Sequence, residues 1–152
     1  VPFNIIKFRT MNLGISKNSK DDAIRQTKIG KILRKTSFDE LPVLMNVLRG
    51  EMSLVGPRPL LLKYKDRFND HQNRRHEILP GITGLAQIQG RNEISWLKKF
   101  DYDIQYVEKH SLLMDLKILF QTLLVVLSLK GISPMDQDIM PEFTGTEIDE
   151  AQ

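Results

Sequence analysis

Hydrophobic positions along this chain recur at helical spacing over most of its length, and the breaks between them carry proline or glycine. Within residues 27–35, Ile29, Ile32 and Leu33 fall on one face, which predicts a short helix with its lysines turned to solvent. From Asp39 to Leu48 the apolar residues Leu41, Leu44, Met45 and Leu48 repeat in the same way, with Gly50 as the C-terminal stop, so a second helix is expected with these four in the core. Glu93 to His110 carries Ile94, Leu97, Phe100, Ile104 and Val107 on one stripe, the mark of a helix packed on a core. Trp96 and Tyr106 lie off that stripe and either meet lipid headgroups or pack against a neighbouring helix. A last helix is expected from a Ser111 cap to Lys130, closed by Gly131.

Between these helices the pattern loosens. Val1 to Met11 alternates weakly, as a strand or an entry segment does, and Asn12 to Asp22 is polar and reads as a loop. Pro59 to Leu79 opens on three leucines and becomes dense in charge, the pattern of a surface helix interrupted near Asn69 and Asp70. Pro80 to Asn92 carries Gly81, Gly84 and Gly90, predicting turns and short strands where backbone approaches a ligand closely. The fold class that follows is α+β: a compact, mainly helical single domain with short strands and ordered loops.

The last helix bears on membranes. Ile118 to Leu129 is a run of twelve uncharged residues bounded by Asp115, Lys117 and Lys130, whereas a span takes about 20. It is too short to cross, and is expected either as buried core or partly in the interface.

With 152 residues, 41% hydrophobic and 27% charged, the chain has the balance of one globular domain. It has no cysteine, which excludes disulfides and thiolate metal sites. The three histidines offer no zinc site, and His71 and His76, five apart, fall on different helix faces and read as surface residues. Charge divides the chain in two. Residues 133–152 hold six acidic residues and no lysine or arginine, leaving 22 basic against 13 acidic residues in residues 1–132. An acidic tail thus follows a basic body suited to anionic partners: nucleotide, lipid phosphate, anionic headgroups or nucleic acid. Nucleic acid is disfavoured, because the basic residues are not interleaved with aromatics and no binding signature is present.

Chemistry concentrates in Thr36-Ser37-Phe38-Asp39-Glu40-Leu41-Pro42 and Gly56-Pro57-Arg58-Pro59. A helix through Leu44 tolerates Pro42 only in its first turn, so Asp39 and Glu40 belong at a helix N-terminus, where the dipole and free amides favour negative charge. An ionised carboxylate beside a phosphate site is a nucleophile in waiting. The same residues also fit a capping box in which Glu40 reaches back to the Ser37 amide, and both readings stand. Arg58, held extended by Pro59, projects from a stiff loop and can grip a phosphate bidentately; a simple proline-rich turn with a solvated arginine is the alternative.

Taken in order, Lys7-Phe8-Arg9-Thr10-Met11, Ser37-Phe38-Asp39-Glu40-Leu41-Pro42, Asn46 through Pro59, Pro80-Gly81-Ile82-Thr83-Gly84-Leu85-Ala86-Gln87 and Gly90-Arg91-Asn92 resemble the bacterial sugar transferases, the monotopic phosphoglycosyltransferases. The resemblance runs from about Lys7 to Gly131. It implies transfer of a sugar 1-phosphate from a UDP-sugar to a polyprenyl phosphate with release of UMP, at the start of bacterial glycan assembly. It further implies Asp39 as the nucleophile, Glu40 as its helper, and Mg2+ held by Asp39 and Glu40. Arg58, Arg91, Lys7 and Arg9 would face the substrate phosphates, and Asp115 would be another functional acid. Partners implied are the UDP-sugar, the polyprenyl phosphate and a membrane surface at the cytoplasmic face of the bacterial inner membrane, with no nucleic acid. Family members carry a hydrophobic segment ahead of the region matching Lys7, so the chain reads as the catalytic part, residues 1–132, of a longer membrane-associated protein, with residues 133–152 as an acidic tail. A non-catalytic basic module binding anionic membrane or nucleic acid is the competing expectation.

Overall fold

The computed structural model describes residues 1–12, 26–90, 94–128 and 142–145. Helix α1 covers Lys28–Lys35, and the Thr27 side chain caps it by accepting the Gly30 N–H at 2.8 Å, as the spacing predicts. A 3-10 helix over Phe38–Val43 leads into the short α2, Leu44–Leu48. Strand β1, Ser53–Val55, pairs in parallel with β2, Gly81–Thr83, in the register Ser53 to Gly81 and Val55 to Thr83. The crossover between them holds a 3-10 helix at Leu62–Arg67, α3 at Asp70–Asn73 and a 3-10 turn at Arg74–His76. After β2 come α4 at Leu85–Gln89, α5 at Trp96–Lys109 and α6 at Leu112–Ser128. The result is mainly helical with a two-stranded parallel sheet, the fold class expected. No described helix is long and apolar enough to cross a membrane.

Several expectations are corrected. Residues 39–48 do not form one α-helix, because Pro42 has no N–H to offer and its ring disfavours the α-helical turn before it. The tighter 3-10 turn leaves the Asp39 carbonyl without Pro42 as a donor, and the Phe8 N–H takes that place at 3.0 Å. Leu41, Leu44, Met45 and Leu48 are not core; they are 44 to 80% exposed. Periodicity reports that a face is apolar, not what covers it. Residues 1–11 form no strand, and only Met11 bridges to Gln26. The charged stretch 59–79 is three short turns that bury Tyr64, Gln72 and Arg75, rather than a surface helix. Helix α6 is only partly core: Ile118 is buried, but Phe120, Leu123 and Leu124 are at least half exposed. Its Ser111 cap is present, the Ser111 hydroxyl accepting the Met114 N–H, while the expected stop at Lys130 and Gly131 lies outside the described residues. His71 and His76 are exposed, as expected.

Two apolar clusters hold the body together. Val55, Tyr106 and Ile118 join β1, α5 and α6, with Ile78, Leu85 and Met114 packed around them. Tyr64, Phe100 and Phe143 form an aromatic cluster with Phe68 and Trp96. Off-stripe Trp96 and Tyr106 thus pack inward, Tyr106 fully buried. Phe143 comes from the acidic tail, meets the Phe100 ring edge-on at 5.0 Å, and has no exposed surface. Beside it Glu142 pairs with Lys63 and Arg67, both at 2.9 Å, and Arg67 also donates to the Phe143 carbonyl. Residues 142–145 are therefore docked on the body by ring packing and charge together.

Candidate functional site

Three local devices bring the chemistry together. The first is Ser37, whose φ of +58° reverses the chain before Phe38 and sets Asp39 and Glu40 in the first turn of the 3-10 helix. This left-handed residue makes no side-chain cap, so the capping box does not form. The second is Asn46, fully buried. Its carboxamide oxygen accepts the Ile6 N–H at 3.1 Å, and its nitrogen donates to the Asn4 carbonyl at 2.8 Å and to Glu51 at 2.6 Å. A buried amide satisfied at both ends fixes the backbone it holds, and with the Phe8 to Asp39 bond it brings Lys7 onto Glu40. The third is the Gly56-Pro57-Arg58-Pro59 loop, strapped to β2 by Gly56 N–H to the Thr83 carbonyl and Gly81 N–H to the Pro57 carbonyl, both 2.9 Å. A Cβ on Gly56 would lie 2.4 Å from the Leu79 carbonyl oxygen, so the strap closes only on glycine.

Glu40 is the meeting point. Lys7 Nζ lies 2.6 Å and Arg58 Nη2 3.1 Å from the same oxygen, Oε1. Burial pushes the Glu40 carboxyl upward, but the Arg58 charge and the Lys7 bond outweigh it and hold the group below its ordinary range. Its neighbour behaves oppositely. Burial and then the Glu40 charge raise the Asp39 carboxyl above its ordinary value, with Lys7 and Arg34 only partly opposing. Adjacent carboxylates with diverging proton affinities are a usual way to divide roles between a nucleophile or base and a fixed anion.

Both residues open onto a cavity of about 910 Å³. Lys7, Arg34, Arg58, Arg75 and Lys99 supply positive charge to its wall, and Phe8, Phe38, Leu41 and Leu44 apolar surface. Also in the wall, the Thr83 and Thr122 hydroxyls lie 2.7 Å apart. The Gln87 carboxamide, also in the wall, is buried and finds no hydrogen-bond partner at either end among the described residues. Lys99, packed over the Trp96 ring at 5.0 Å, has its ammonium pulled down to about 8 by burial and by the Arg58 charge, with Asp103 opposing. A volume of this size, lined by both cations and apolar side chains, suits an amphiphilic phosphate ligand.

Of the residues singled out from sequence, Asp39, Glu40, Lys7 and Arg58 come together here. Arg9 is exposed and not among the lining residues. Asp115 also lies apart from the cavity lining; it accepts the Tyr106 hydroxyl at 2.6 Å. Arg91 lies outside the described residues. Sequence reading missed Arg75, Lys99 and Asp103. Arg75 sits in a run of basic residues that looks like solvated surface, and Lys99 and Asp103 interrupt an apolar stripe without breaking its period.

The resemblance implies magnesium on Asp39 and Glu40, and no cluster of three acidic, histidine or cysteine side chains that could hold a metal ion occurs among the described residues. Two adjacent carboxylates at the wall of a cavity of this size would suit this hard cation, which commonly takes one or two protein oxygens and completes its shell with phosphate and water.

Comparison with known proteins shows the family to which the chain belongs. The family model described as bacterial sugar transferase matches residues 1–129. An uncharacterized sugar transferase of Bacillus subtilis, EpsL, is 50% identical over 147 residues, covering 95% of this chain and 73% of that protein. The UDP-glucose:undecaprenyl-phosphate glucose-1-phosphate transferase of Klebsiella pneumoniae is 43% identical over 134 residues, 80% of this chain and 29% of that protein. The undecaprenyl-phosphate galactose phosphotransferase of Salmonella typhimurium is 45% identical over 107 residues, 70% of this chain but 22% of its own length. The chain thus spans most of one relative and under a third of the other two, and over residues 1–129 it belongs to the bacterial sugar transferase family.

Proposed function

We propose that this chain transfers a sugar 1-phosphate from a UDP-sugar to undecaprenyl phosphate, releasing UMP, through a covalent phosphosugar on Asp39. The observation that carries the reading is the pairing of Asp39, more basic than an ordinary aspartate, with a Glu40 held ionised by Lys7 and Arg58 at one cavity mouth. The named activities of the Klebsiella and Salmonella relatives supply the substrate class.

In the first step an Asp39 carboxylate oxygen attacks the phosphorus that bears the sugar. The bond from that phosphorus to the UMP oxygen breaks, and UMP leaves with the electron pair. In the second step a phosphate oxygen of the lipid attacks the same phosphorus, and Asp39 departs as carboxylate. Splitting the transfer means that two anionic substrates never have to meet directly. Arg58 and Lys7 face the charge that develops on the phosphoryl oxygens, with no reorganisation needed once Glu40 has oriented them. Magnesium, held by Asp39 and Glu40, would supply further charge neutralisation on the diphosphate. Phe8, Phe38, Leu41 and Leu44, apolar and open at the cavity wall, suit the isoprenoid chain of the acceptor and a membrane surface beside it.

Intact-protein mass spectrometry after incubation with Mg2+ and a panel of UDP-sugars tests this. The expected result is a sugar-phosphate mass increase with UMP release, absent in Asp39→Asn, and the donor that reacts names the sugar. Undiminished turnover in Asp39→Asn would overturn the covalent role.

A further inference from the structure

Among the described residues, Arg75 and Asp103 are the most deeply placed ion pair, their side chains 3% and 4% exposed. Arg75 Nε and Nη2 both donate to Asp103 Oδ2, at 3.0 and 2.8 Å. The same Nη2 also donates to the backbone carbonyl of Arg58 at 2.7 Å. The guanidinium also lies against two rings that meet each other edge-on, 5.7 Å from the Phe68 centroid and 5.6 Å from Phe100. Burying such a pair is costly, and as a source of stability it is often no better than apolar packing. Its geometry has a more specific use. Bound to the carbonyl between Pro57 and Pro59, Arg75 fixes the backbone from which the Arg58 side chain reaches Glu40.

We infer that Arg75 and Asp103 are positioning residues for the phosphate-handling cations: Asp103 orients Arg75, Arg75 holds the Arg58 carbonyl, and Arg58 is thereby aimed at the cavity mouth. The inference rests on the proposed role of Arg58 as a phosphate ligand. Lysine cannot replace Arg75. An ammonium lacks the planar fork that meets Asp103 with two nitrogens while one of them still reaches the carbonyl. Asparagine at 103, by contrast, keeps an acceptor for the guanidinium.

The test is a double-mutant cycle on the whole chain between Arg58→Ala and Arg75→Lys, read by turnover of the reactive UDP-sugar with undecaprenyl phosphate and Mg2+, and separately by affinity for UDP. Arg75→Lys is expected to lower kcat/KM and UDP affinity by roughly tenfold or more, as for loss of a charged hydrogen-bonding partner. In the double variant the losses should not multiply, because Arg75 acts through Arg58. Asp103→Asn should retain more activity than Arg75→Lys. Multiplicative losses, or full UDP affinity in a folded Arg75→Lys protein, would overturn the inference. Since UDP affinity does not depend on the covalent step, unchanged turnover in Asp39→Asn would sink the proposed mechanism while leaving this cycle readable.

Discussion

Replacing Arg58 by alanine should separate catalysis from stability. The Arg58 side chain is 51% exposed and meets a Glu40 side chain that is 24% exposed, and ion pairs in such settings contribute at most about 1 kcal/mol. The bond that anchors the loop is made by the Arg58 carbonyl, which alanine retains. For a chain of this size, that loss corresponds to a fall in Tm of about 2–4 °C. Removing a preoriented donor from developing negative charge typically costs a factor of about 100 to 1,000 in kcat, several times the stability term in free energy. The Glu40 carboxyl should also titrate higher, because the cation that most depresses it is gone. Its depressed value contributes stability above the unfolded value that is lost as pH falls through the folded one, so the variant should lose its margin at a less acid pH. Thermal unfolding across pH, with UMP release measured on the same preparations, checks both parts. A Tm drop of about 10 °C with only proportional loss of activity would refute the argument and make Arg58 structural.

Three further substitutions probe the rest of the site and its frame. Asp39→Asn should be at least as stable as the parent at neutral pH while losing turnover, because burial and the Glu40 charge make the ionised Asp39 unfavourable in the folded state. That penalty is full above the raised folded value and is relieved as pH falls through it, so the advantage should vanish in acid; a lower Tm at neutral pH would contradict the burial argument. Phe143→Ala empties a fully buried ring site and should cost about 3–5 kcal/mol, read by denaturant unfolding; an unchanged midpoint would mean that residues 142–145 add nothing to the fold. Tyr106→Phe removes the donor to Asp115 and to the Val55 carbonyl and should cost about 1–3 kcal/mol with kcat nearly intact at a permissive temperature; lost kcat without lost stability would return Asp115 to the chemistry.

Much of the helical framework was legible because capping and periodicity are local. Ser111 caps the helix it was expected to open, and α5 packs Phe100, Ile104 and Val107 inward as their spacing requires. The leucines of residues 41–48 were misassigned by the same rule. An apolar face that borders a cavity or looks outward has the same period as one in a core, and only the neighbouring elements distinguish them. Asp39 and Glu40 stood out because adjacent carboxylates ahead of a proline limit the backbone strongly. The long-range pairings did not. Lys7 meets Glu40 across 33 residues, and Arg75 meets Asp103 across 28.

What the sequence by itself determined is therefore whatever rests on neighbours in the chain: the helix caps, the stiff Gly56-Pro57-Arg58-Pro59 loop, the adjacency of Asp39 and Glu40, and the motif order that marks the family. The tertiary structure alone decided the proton affinities of the two carboxylates, the burial of Arg75 against Asp103, and the docking of Phe143 from an acidic tail. The physical reason is the range of the forces. Backbone geometry is set by nearest neighbours, whereas desolvation and charge pairing depend on which distant segments exclude water from the same place.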